Sequence, residues 1–194
     1  MSLPVTRGEV NGSFEALGML ESINQVTLAS FENSKFISST VVKDIDFETV
    51  GRIPDLKGVS GEFSIANQDI TKAKLKGLLH NANFEAEFRV ANAGGILFNN
   101  SKAEVQTSIV IDSINSNWLL AENTDNVSVK GVSTWNRIQS IAGDVFIDEF
   151  IHNNFTAKPL SASFHLNEDE LICNSFLCRT CDGIVTGQIG RAHV

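Results

Sequence analysis

The sequence predicts an all-β fold, an antiparallel meander of short amphipathic strands with at most one or two short helices. Three observations carry that expectation. Apolar and polar residues alternate with period two in several runs. Polar turn formers separate those runs at intervals of roughly 10 to 15 residues, as between consecutive strands of a meander or sandwich. With 42% hydrophobic and 20% charged residues, the chain is too apolar for disorder and too evenly interrupted to span a membrane as a helix.

In chain order, Phe14, Leu17, Leu20 and Ile23 are spaced as one face of a helix. Ile45, Phe47 and Thr49 then alternate with Asp46 and Glu48 as a strand with one dry side. Gly58-Val59-Ser60-Gly61 reads as a glycine-flanked turn before Phe63, since it lacks the spacing of a nucleophile elbow. The clearest strand is Phe84 to Val90, where Phe84, Ala86, Phe88 and Val90 oppose Glu85, Glu87 and Arg89. Val105, Thr107, Ile109 and Ile111 repeat the pattern against Gln106 and Ser108. Trp135, Ile138, Ala142 and Val145 are spaced almost helically, with a strand expected at Val145-Phe146-Ile147. Ala162, Phe164 and Leu166 alternate with Ser161, Ser163 and His165. Asn-, Asp- and Gly-rich breaks such as Asn67-Gln68-Asp69, Asn81-Ala82-Asn83, Asn92-Ala93-Gly94-Gly95 and Cys181-Asp182-Gly183 supply the reversals.

The formal net charge of −8 removes the attraction that underlies non-specific nucleic-acid binding, so no nucleic-acid partner is expected. Catalytic signatures are absent from the sequence. Cys173, Cys178 and Cys181 are spaced C-x4-C-x2-C without a fourth ligand, and in an oxidising compartment one disulfide among them is expected rather than a metal. The acidic group at Asn167 to Glu170 reads as a solvated hairpin tip, and Gly94-Gly95 as a turn with no phosphate-loop Lys-Ser/Thr after it. No enzyme activity, metal or cofactor is expected.

Thirteen phenylalanines and no tyrosine give the apolar faces no polar handle. Two readings of those faces stand side by side. They pack on a second sheet, as in a structural or adhesive β-sandwich domain of a secreted or surface protein. Alternatively, a curved sheet keeps them open for acyl chains, each buried CH₂ then being worth about 0.8 kcal/mol.

Ile53-Pro54-Asp55-Leu56-Lys57-Gly58-Val59-Ser60-Gly61-Glu62-Phe63 resembles the lead-in to a strand pair in the YhdP branch of the AsmA-like envelope protein superfamily. Ile141 to Ile147, Pro159 to Leu166 and Gly183 to Gly187 are similar to the cadence of AsmA-like C-terminal regions, departing from it at Glu170 and Asp182, where the cadence favours Gly. The resemblance covers most of residues 40 to 188. It implies a curved, elongated sheet or groove with no active site, part of a periplasm-spanning protein anchored in the bacterial inner membrane by an N-terminal helix outside this sequence. Such a protein helps move phospholipid toward the outer membrane. On that reading residues 1–188 are one groove segment of a longer protein, and Phe47, Phe63, Phe84, Phe88, Ile109, Ile111 and Phe164 face the acyl chains. Residues 189–194, read as IGRAHV, resemble translated sequencing adapter and are expected to be a non-native tail.

Overall fold

Alternation becomes strand wherever the described residues carry it. The computed structural model describes residues 5–17, 35–47, 55–94, 101–117, 137–167, 170–181 and 183–193. Their strands are β1 (Val5–Leu17), β2 (Lys35–Phe47), β3 (Leu56–Ala66), β4 (Asp69–Leu79), β5 (Ala82–Ala91), β6 (Ala103–Asn115), β7 (Ile138–His152), β8 (Phe155–Ala157), β9 (Leu160–Asn167), β10 (Glu170–Thr180) and β11 (Gly183–His193). All belong to one sheet in the order β1-β2-β3-β4-β5-β6-β7-β9-β10-β11, with β8 paired to β7, and the sheet is not closed into a barrel.

The all-β expectation holds, and the structure refines it in four ways. The strands are not uniformly short, since β7 runs for 15 residues. The helical spacing at Phe14 and Leu17 belongs to β1, and that at Ile138, Ala142 and Val145 to β7. Leu20, Ile23 and Trp135 lie outside the described residues. Gly58 to Gly61 is not a turn but part of β3. The meander is also interrupted once, because β6 and β7 run parallel, with Val105 opposite Ile141 and Ile109 opposite Val145. Unlike the antiparallel pairs, a parallel pair cannot be joined by a tight hairpin.

Tight reversals use left-handed backbone where the sequence offers Asn or His. Asn67, His80, Asn92 and Asn153 have φ of 56°, 61°, 58° and 52°. The same conformation inside strands makes bulges. Asp44 (φ 52°) and Gly58 (φ 58°) sit at register shifts in the β2–β3 and β3–β4 pairs. Each bulge turns two consecutive residues outward, Lys43-Asp44 and Lys57-Gly58, so Val42 and Ile45, or Leu56 and Val59, share a face although three positions apart. Freed backbone donors find side-chain acceptors nearby. The Asp44 N–H donates to Ser60 Oγ at 3.0 Å and the Gly58 N–H to Asp46 Oδ1 at 2.7 Å.

Bulges bend strands. The most buried row of the sheet lies at this level, with Ile45 5%, Val59 2%, Phe84 9%, Ile111 6% and Ile147 7% exposed. At the adjoining end of the β6–β7 pair, the buried Ser116 donates its hydroxyl to the Ile151 carbonyl at 3.2 Å and its N–H to the same oxygen at 2.9 Å. Its Oγ also lies 3.0 Å from His152 Nδ1. These contacts tie the end of β6 to β7.

Candidate functional site

Residues directly opposite one another in neighbouring strands point to the same side of a sheet, so register alone defines its faces. One row crosses six strands as Phe63, Ala73, Phe88, Thr107, Gly143 and Phe164. The next reads Gly61, Leu75, Ala86, Ile109, Val145 and Ala162. The row after it reads Gly77, Phe84, Ile111, Ile147 and Leu160, continuing to Cys178 on β10. Apart from Thr107, every side chain in these rows is apolar.

Large and small residues alternate along the rows, which lets rings lie over neighbouring strands. Phe63 and Phe88 flank Ala73 and meet edge to face with centroids 6.4 Å apart, leaving Ala73 0% exposed. Phe84 lies over Gly77, its Cε1 3.2 Å from where a Cβ would stand, and Phe176 covers Gly187 in the same way. Cross-strand packing within one sheet therefore achieves much of the burial.

All seven residues singled out from the sequence lie on this face. Phe84 and Ile111 belong to the buried cluster; Phe47, Phe63 and Ile109 pack against it. Phe88 joins through Phe63, and Phe164 stands on the same row as Phe88. Sequence reasoning missed Val42, Val59, Leu75, Leu79 and Ile147. For β4 the signal was present, since Ala73 and Leu75 alternate with Lys72, Lys74 and Lys76. Val59 was hidden by the bulge at Gly58, which breaks the two-residue period.

The cysteines need a correction. Cys173, Cys178 and Cys181 are all free thiols, and no disulfide joins them. Cys173 and Cys178 lie on one extended strand, five residues apart, well beyond the roughly 7 Å Cα separation that a disulfide can bridge.

The opposite face is charged. Glu62, Lys74 and Glu87 stand in one cross-strand row; Lys74 pairs with Glu87, and Lys72 reaches Glu62 at 3.4 Å. The hydrogen bond between Lys74 and Glu87 holds the Glu87 carboxyl below the usual carboxylate range and the Lys74 ammonium above its own. The two shifts set the sign of the pH dependence. A depressed carboxyl contributes stability at pH above its unfolded value, lost as pH falls through the folded one. A raised ammonium contributes below its unfolded value and loses that as pH rises through its folded one. Both groups are solvent-exposed, so the effect is small and weakens with salt. Glu87→Gln is expected to lower the urea midpoint slightly at neutral pH and not at all below the Glu87 titration. A difference from wild type that persists in strong acid would contradict this assignment.

Compared with family models, with curated proteins and with solved structures, the chain finds no match in any of the three.

Proposed function

We propose that the dry face of this sheet is a lipid-handling surface, a groove segment that shields phospholipid acyl chains between the inner and outer membranes of a bacterial envelope. The observation that carries the reading is a face that, apart from Thr107, is apolar across neighbouring strands of a single open sheet. Every described strand lies in that sheet, so no second described sheet covers the face. Phe47, Phe63, Phe88, Ile109 and Phe164 remain only half-buried on it. An apolar strip of this extent is an aggregation liability unless something apolar fills it. Acyl chains suit it because their binding needs area rather than directed polar groups, at about 0.8 kcal/mol for each CH₂ removed from water. The AsmA-like cadence of the sequence agrees with a non-enzymatic, periplasmic segment of an inner-membrane-anchored protein serving outer-membrane biogenesis.

A benzophenone amino acid at Phe88 tests the reading directly. Irradiated in an intact envelope, the variant is expected to yield phospholipid adducts, whereas the same group at Glu87, on the opposite face, yields none. Adducts to protein alone at position 88 would sink the proposal.

A further inference from the structure

Across β4 to β9 the charged face carries a cavity of about 520 Å³. Its lining follows two cross-strand rows. One reads Arg89, Gln106 and Ala142, joined by Lys72 from β4. The other reads Glu87, Ser108, Asp144 and Ser163. Between the rows, Phe88, Thr107, Gly143 and Phe164 contribute main chain, since residues of that register point to the dry side. Val105, Ile109, Ile141 and Val145 are the apolar neighbours that would wall a cavity on the dry side, and none of them lines this one. The cavity therefore opens among the charged side chains.

Its charges are separated. Lys72 is engaged by Glu62 at 3.4 Å and Glu87 by Lys74. That leaves Arg89, which has no ion-pair partner among the described residues, and Asp144. Asp144 Oδ1 accepts from the hydroxyl of Ser163, itself part of the lining, which holds the carboxylate from the β9 side and leaves Oδ2 as an acceptor. Arg89 and Asp144 lie two strands apart with an offset of two residues. At about 4.8 Å per strand, their Cα atoms stand about 12 Å from each other. Gln106 and Ser108, between them, offer both donors and acceptors.

We infer that this cavity binds a short zwitterionic peptide, its carboxylate on Arg89 and its ammonium on Asp144. A guanidinium fork matches a carboxylate, and an ammonium brings three N–H donors to Asp144 Oδ2 and the neighbouring hydroxyls. Three extended residues span about 10 Å and reach both charges, whereas a single amino acid spans about 3.5 Å and reaches one. The lining holds two cations and two carboxylates, so a ligand with a large net charge gains nothing there. The site lies on the other side of the sheet from the acyl chains, and the inference stands or falls separately from the lipid reading.

Titration of the whole 194-residue chain at low ionic strength, followed by NMR, tests this with triglycine, N-acetyltriglycine and triglycinamide. Triglycine is expected to bind tightest, and each cap to weaken binding about fivefold, the scale of one exposed charge pair. Asp144→Asn is expected to abolish the penalty for the acetyl cap while keeping that for the amide. Arg89→Gln is expected to do the reverse, so each variant serves as the folding control for the other. Glycine is expected to bind no better than a singly capped tripeptide. No saturable binding of triglycine, equal affinities for the three tripeptides, or loss of the same discrimination in both variants would overturn the assignment.

Discussion

An aspartate at position 111 is expected to unfold the chain, while an aspartate at position 110, one residue away, leaves it folded. Ile111 is 6% exposed and stands between Phe84 on β5 and Ile147 on β7, with no polar side chain directly across from it. A carboxylate there loses its hydration and gains no partner, at a cost of about 4 kcal/mol or more. That is comparable with the whole stability of a domain of this size. Val110 is 44% exposed on the charged face, between Glu85 and Phe146. Aspartate at that position gives up some β propensity and meets one like charge, together less than about 1 kcal/mol. Urea denaturation of the two variants measures the contrast. Equal costs would mean that the two sides of β6 are equally wet, and the dry face would lose its physical basis.

The outcome at these two positions was foreseeable from the chain itself because alternation is local. From Phe84 to Val90 and from Val105 to Ile111, each side chain's face follows from its neighbours, and the pairing of β5 with β6 repeats what each strand already encodes. Legibility ended where the period breaks or where partners are distant in sequence. In β2 and β3, left-handed residues at Asp44 and Gly58 shift the pattern by one, so Val42 and Val59 look misplaced until the bulges are known. The helical spacing from Ile138 to Val145 was genuine, but β7 gains hydrogen bonds from β6 and β9 on both sides, and that pairing overrides it. The parallel pairing of β6 with β7 has no local signature at all. The apolar surface was thus readable residue by residue, whereas the features that shape and terminate it are products of register.

Register is also where the sheet is least tolerant, and Gly61 is its most sensitive point. A Cβ there would stand 1.9 Å from the Lys74 carbonyl oxygen and 2.8 Å from Leu75 Cδ2. The nearer atom belongs to the backbone of the neighbouring strand, so no rotamer change relieves the overlap. Gly61→Ala is therefore expected to push β4 away from β3, at a cost of about 3 kcal/mol. The damage reaches the dry face, because Phe63 sits two residues along and leans over Ala73 toward Phe88. Gly58→Ala supplies the contrast, since nothing lies within 4 Å of its Cβ position and only its φ of 58° opposes a side chain. That backbone penalty is about 1 kcal/mol. Hydrogen exchange across the β3–β4 ladder distinguishes the two causes. Gly61→Ala should accelerate exchange along the whole pair, and Gly58→Ala only beside the bulge. If both variants exchanged alike, the close approach of β4 to Gly61 would not be what holds this part of the groove wall together.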